Sequence, residues 1–196
     1  KVFYRETTDA NGQIPQIPVT PGTYTFKEVY APDGYALNEA EMRFTVDADG
    51  NVTGDTTIRD DYTRFSLRKG DESGKPLSGV MFGPKKADGM LMMTAKTDAK
   101  GMATFEKVPF GTYTLVETQA LPGYLKTDTE IRLTVDGTFV NPKEPIATVV
   151  NERQKIRGLK VDTAGQALTG AAFSLINADT GEIVDVAVSD EKGEFY

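Results

Sequence analysis

Tyr113-Thr-Leu-Val-Glu117-Thr-Gln-Ala-Leu-Pro-Gly-Tyr124 is an extended run that ends in a proline-glycine turn, and this chain carries it twice. The earlier copy is Tyr24-Thr-Phe-Lys-Glu28-Val-Tyr-Ala-Pro-Asp-Gly-Tyr35, so the two glutamates stand 89 positions apart. Side chains along a strand alternate between its faces. Tyr113, Leu115 and Glu117 therefore share one face, as do Tyr24, Phe26 and Glu28. Each copy sends a carboxyl group to the side that carries its large apolar residues.

Three further signatures repeat in the same order. Phe65-Ser-Leu-Arg-Lys69, leading through Gly74-Lys-Pro-Leu77-Ser-Gly-Val-Met-Phe82, returns as Gly158-Leu-Lys160 leading through Gly165-Gln-Ala-Leu168-Thr-Gly-Ala-Ala-Phe173. Thr97-Asp-Ala-Lys-Gly101 matches Thr8-Asp-Ala-Asn-Gly12 before it and Ser189-Asp-Glu-Lys-Gly193 after it. Thr56-Thr-Ile-Arg-Asp60 matches Thr148-Val-Val-Asn151, with Asp in one copy where the other has Asn. A period near 90 residues is the size of an independent β-sandwich, far longer than a solenoid rung. On this frame residues 1–62 are the later part of a first repeat, 63–153 a complete repeat and 154–196 the beginning of a third. The chain is accordingly expected to begin and end in mid-domain.

Composition agrees with an all-β chain of tandem sandwiches. The 19 Gly and 10 Pro punctuate short runs rich in Thr and Val, as turns punctuate strands. The net charge of −7, with Lys and Arg scattered, leaves no basic footprint for nucleic acid or anionic lipid. With no Cys and no His there is no disulfide, no thiolate metal site and no Ser-His-Asp triad. No apolar run approaches the roughly 20 residues of a membrane span, so no membrane insertion is expected within this stretch.

The parity that turns Glu117 inward also groups Lys69 with Phe65 and Leu67, Asn151 with Val149, and Asp60 with Ile58. An isolated buried charge is costly, so such groups become neutral, pair or react. Burial favours the free amine of a lysine and the uncharged acid of a glutamate. An amine held against a carboxamide gains an effective molarity on the order of 10⁵–10⁸ M. The expected chemistry is attack by Lys69 on the Asn151 carboxamide, with Glu117 polarising the carbonyl and shuttling protons. The ordinary alternative is a Lys69–Glu117 salt bridge near a strand end with Asn151 capping a turn.

The Glu117 run is similar to the "E-box" of Gram-positive pilins, with Leu121 inserted before the proline and Val29 at the usual Thr position of the earlier copy. Lys69 through Phe82 and Lys160 through Phe173 resemble the lysine strand of collagen-adhesin B-type (Cna B-type, prealbumin-like) repeats and SpaA-type pilins, with Val80 where Ala is usual. The resemblance implies tandem Ig-like or prealbumin-like sandwiches, secreted and displayed on a Gram-positive cell wall, without enzymatic turnover and without cofactor or metal. It implies an isopeptide bond between Lys69 and Asn151, promoted by Glu117. Glu28 and Asp60 are the equivalents in the first repeat and Lys160 the equivalent in the third. Partners are then the neighbouring repeats, and Lys160 of one molecule reaching Asp60 of another is a conceivable link between half-repeats. The alternative function is an adhesin module whose loops bind host extracellular matrix protein or glycan. A hydrolase pairing Glu117 with a second carboxylate is disfavoured, since the device is duplicated in every repeat.

Remaining motifs read as turn chemistry or core. Asp47-Ala-Asp-Gly-Asn51 opens like a calcium loop but continues with Val52, and Ile58 stands where the last ligand belongs. Asn51-Val-Thr53 has the form of a glycosylation acceptor but sits in the same turn. Tyr24 and Tyr113 share the glutamates' inward face and belong to cores rather than to a sugar platform.

Overall fold

A computed structural model describes residues 4–196, and every regular element among them is a β-strand. In chain order these are β1 (Gly22–Lys27), β2 (Glu41–Val46), β3 (Val52–Gly54), β4 (Arg64–Asp71), β5 (Met81–Lys85), β6 (Ala95–Lys96) and β7 (Met102–Glu106). They continue as β8 (Gly111–Gln119), β9 (Ile131–Val135), β10 (Thr148–Asn151), β11 (Gly158–Leu159), β12 (Ala172–Ile176), β13 (Ile183–Val188) and β14 (Glu194–Phe195). The chain is all-β, as its repeats require.

The strands β4 to β10 form two sheets, ordered β10-β4-β7 and β6-β5-β8-β9. Their facing sides bury one apolar cluster that includes Phe65, Leu67, Phe82, Phe105, Tyr113, Leu115 and Val149. Alternation is strict where it matters: β4 buries Phe65, Leu67 and Lys69, and β8 buries Tyr113, Leu115 and Glu117. Phe65 pairs with Phe105 across the β4–β7 ladder, and their rings stack with centroids 5.2 Å apart. Each such ring removed from water contributes about 1.5–3 kcal/mol.

The β10–β4 pair is parallel, with Val149 opposite Lys69 and Asn151 opposite Asp71. The remaining ladders are antiparallel, and one turn recurs along the chain. In Asp-x-x-Gly the aspartate Oδ1 accepts the amides two and four residues later, and the glycine takes a positive φ. The turn occurs at Asp9, Asp47, Asp71, Asp98, Asp162 and Asp190. The would-be calcium loop at Asp47 is one of these turns, and its Asp47 carboxylate is spent on Asp49 and Asn51.

Gly101 ends the Asp98 turn against the lysine strand. Its φ is +75°, its carbonyl accepts the Lys69 amide at 2.7 Å, and a β-carbon there would run into the Lys69 carbonyl oxygen. Gly193 stands in the same relation to Lys160. Thr97 donates its hydroxyl to Leu77 O at 2.7 Å and accepts the Val80 amide at 2.9 Å, and Ser189 makes the matching bonds with Leu168 and Ala171.

The flanking segments are built on the same plan with fewer strands. The β1-β2-β3 sheet corresponds to β8, β9 and the turn beyond, and the β12–β13 hairpin corresponds to β5–β6. Residues 56–60 were expected to be a strand but are not one, because among the described residues no lysine strand lies beside them as β4 lies beside β10. Ile58 is correspondingly exposed. Residues 31–37 seat on the middle sandwich: Ala31 N donates to Gly137 O, Leu37 N to Phe139 O, and Phe110 N to the Asp33 carboxylate. Gly137 admits the Tyr30 ring at a spot that a β-carbon would fill.

Gly101→Ala forces a side chain into the left-handed region and into the Lys69 carbonyl. It is expected to cost on the order of 1–3 kcal/mol. Chemical denaturation should show this loss, whereas Gly89→Ala, with open space around the added carbon, should lose only the part due to its own positive φ.

Candidate functional site

Lys69, Glu117 and Asn151 come from β4, β8 and β10, and the two sheets bring all three into one contact. Their relative exposures are 0%, 1% and 1%, so no bulk water reaches them. Lys69 Nζ lies 2.5 Å from Asn151 Oδ1 and 3.1 Å from Glu117 Oε2. Asn151 Nδ2 donates to Glu117 Oε1 at 2.7 Å, which closes a triangle of amine, amide and carboxyl. The Phe82 ring centre is 5.8 Å from Nζ, so the surroundings are the apolar core itself.

Two features depart from an ordinary ion pair. Burial pushes the Lys69 amine below the usual lysine range, and the Glu117 carboxyl offsets only part of that. Glu117 Oε2 accepts no well-aligned hydrogen bond although it is buried. A charged pair in this setting lacks the full solvation that a surface pair enjoys. The expected contact between Glu117 and the Asn151 carbonyl oxygen is not the one formed. Lys69 faces that oxygen, and Glu117 faces the amide nitrogen.

The first-repeat equivalents sit together, with no amine beside them among the described residues. Asn38 N donates to Glu28 at 2.7 Å. Burial, followed by the neighbouring Asp60 carboxyl, raises Glu28 above the normal glutamate range against the lowering effect of the Asn38 bond. Asp60 Oδ1 is buried with no hydrogen-bond partner among the described residues. Lys160 follows β11 and is only half-buried, with its backbone held by Gly193 and Leu168 in the manner of Lys69. Neither set is a closed triad among the described residues.

One buried carboxylate beside the triad escaped the sequence reading. Asp71, two residues beyond Lys69 and on the same face of β4, accepts Ser73 Oγ at 2.6 Å, Ser73 N at 3.0 Å and Lys75 N at 2.9 Å. Tyr124 Oη donates to its other oxygen at 3.2 Å, and the Arg153 guanidinium lies 3.5 Å away. The same alternation that placed Lys69 inward would have found it. Among the described residues no cluster of His, Cys, Asp and Glu is suited to a metal ion, and no helix is long and apolar enough to cross a membrane.

A protein-family comparison agrees with this architecture. The model of the SpaA prealbumin-like fold domain matches residues 2–61 and again residues 63–145. The chain is similar to the serine-aspartate repeat-containing protein F of Staphylococcus epidermidis, with 26% identity over 96% of this chain. It spans 14% of that protein's length. Among solved structures it is similar to the Bacillus anthracis TIE protein, with 27% identity, a TM-score of 0.47, and coverage of 96% of this chain and 36% of that one. A streptococcal ancillary pilin gives 21% identity and a TM-score of 0.37, covering 93% of this chain and 63% of the pilin.

The Asp71 carboxyl is held down to about 2, chiefly by the Ser73 hydroxyl and then by turn amides and Tyr124, against the desolvation that would raise it. A depressed folded-state value means that the stabilisation is present above the unfolded value of 3.8 and disappears as pH falls through about 2. Thermal melts between about pH 5 and pH 2 should therefore fall less steeply for Asp71→Asn than for the unaltered chain.

Proposed function

The chain belongs to the SpaA family of prealbumin-like domains, and on that footing we propose that its repeats are non-enzymatic stalk modules of a Gram-positive cell-surface protein. In this reading the middle repeat, residues 63–153, locks itself with an isopeptide bond between Lys69 and Asn151. The observation that carries the reading is the buried contact of Lys69 Nζ with the Asn151 carboxamide, with Glu117 bonded to the nitrogen that would leave.

The reaction balances without cofactor. Lys69 reacts as the free amine after giving one proton to Glu117, and its nitrogen adds to the Asn151 side-chain carbon. Glu117 already accepts a hydrogen bond from Nδ2, so it is placed to return that proton to the leaving nitrogen as the carbon–nitrogen bond breaks and then to keep the second proton that the Lys69 nitrogen sheds. One ammonia leaves and one secondary amide remains. Electrostatics favour the product, because a buried ammonium and carboxylate are replaced by a neutral amide beside a neutral acid. The step happens once per chain.

A bond between residues 82 positions apart restricts the unfolded chain as a disulfide would, by about 4–5 kcal/mol on the loop-entropy model. The chain has no cysteine with which to make the conventional link. In the first repeat, Glu28 and Asp60 play the corresponding promoter and acceptor roles, and Lys160 is the corresponding amine of the third.

Intact-protein mass spectrometry of the denatured chain should show a mass lower than the sequence mass by one ammonia. The deficit should disappear in Lys69→Ala and in Glu117→Ala. An unshifted mass in the unaltered chain would reduce the triad to a buried ion pair.

Because burial lowers the Lys69 value, the reactive free amine accumulates at lower pH than for an exposed lysine. Bond formation in freshly synthesised chain should accelerate as pH rises and level off below the ordinary lysine value of 10.5. Timed quenching followed by mass measurement at each pH reads this directly.

A further inference from the structure

Beyond the buried triad, the same three chain segments meet a second time. Asp71 lies two residues past Lys69, Arg153 two residues past Asn151, and Tyr124 seven residues past Glu117. Tyr124 Oη donates to Asp71 Oδ2 at 3.2 Å, Arg153 reaches the same oxygen at 3.5 Å, and the Arg153 guanidinium carbon is 5.9 Å from the Tyr124 ring centre. The backbones close around this contact: Tyr124 and Arg153 form a bridge, Leu125 N donates to Glu152 O, and Gln154 N donates to Gly123 O. Asp71 is itself immobilised, because its other oxygen is bound to Ser73 and Lys75 in the turn that ends β4.

We propose that Asp71, Tyr124 and Arg153 form a positioning clamp that fixes the ends of the three reactive segments and thereby sets how fast Lys69 bonds to Asn151. The inference rests on the isopeptide reading above. None of the three touches the reacting atoms, so their role is to hold the approach geometry on which an oriented reaction depends.

The corresponding joint of the first repeat argues that the charge is there for more than closing the backbone. Tyr35 and Tyr62 form the matching bridge, and there the side chains are two stacked rings with centroids 5.1 Å apart. The backbone joint thus forms without an arginine. In the middle repeat the arginine faces a carboxylate anchored on the lysine strand, which ties β4 to both other segments. The clamp also engages the Asp71 charge, which stands directly across the ladder from Asn151.

The test is the time course of ammonia loss in freshly synthesised chain, quenched in acidic denaturant and read by intact mass. Tyr124→Phe, which keeps the ring, and Arg153→Gln should each slow the step by roughly three- to tenfold while reaching the same final deficit. Arg153→Lys should restore most of the rate, and Asp71→Asn combined with Tyr124→Phe should be no slower than the slower single variant. The same substitutions placed on Lys69→Met, which cannot bond, report the folded fraction by near-ultraviolet circular dichroism, and that fraction should be unchanged. Time courses that overlay the unaltered chain, or slowing fully matched by lost folded fraction, would overturn the clamp alone. Absence of the deficit in the unaltered chain would overturn the clamp and the isopeptide reading together.

Discussion

Water is excluded from the Lys69 amine, and much of the middle sandwich is arranged around that exclusion. An ammonium moved into an apolar core loses solvation that only close partners can replace. The partners come from separate strands, so the core is closed only when β4, β8 and β10 are all in register. The parallel β10–β4 ladder brings Asn151 level with the end of the lysine strand, and the β5–β8 pairing carries Glu117 over Phe82. Gly101 and Thr97 then fix the backbone on either side, one by its close approach to Lys69 and the other by bridging Leu77 and Val80. Packing and chemistry are set by one requirement here.

The first repeat shows what burial does when the amine is missing from the described residues. Glu28 and Asp60 face each other, Glu28 is pushed toward its uncharged form, and one Asp60 oxygen has no partner among the described residues. The same fold thus presents a strained acid pair in one place and a satisfied triangle in another. Among the described residues the first repeat has no counterpart of β4 to β7, so both the lysine and the sheet that would cover the acids are missing there.

Strand parity put an amine, an acid and an amide each on a face with large apolar neighbours, while the repeats gave the fold and, with the family resemblance, singled out these three residues. Parity carried one step further along β4 would have given Asp71 as well. Arg153 was less legible: it lies beyond the end of β10, and its partner is set by the Tyr124 bridge, a long-range pairing with no local signature. Residues 56–60 misled for the opposite reason, since a sequence that matches Thr148–Asn151 becomes a strand only when another strand is beside it. The Asp47 loop was legible as a turn, but the Asp-x-x-Gly turns at Asp71 and Asp162 were not, because the preceding Thr or Ser looked like part of the signature. The bonds show that the aspartate and the glycine alone make the turn.

The parallel pairing of β4 with β10 has a mechanical consequence. The chain enters the middle sandwich at the start of β4 and leaves it at the end of β10, and these neighbours run in the same direction. Tension applied to the two ends pulls the paired strands past each other along their length. Every rung of the ladder then bears load at once, whereas a hairpin pulled at its open end yields one rung at a time. A covalent tie at Asn151 would sit at the trailing end of that ladder. Tension would cross from β4 to β10 there and leave the chain between Lys69 and Asn151 slack.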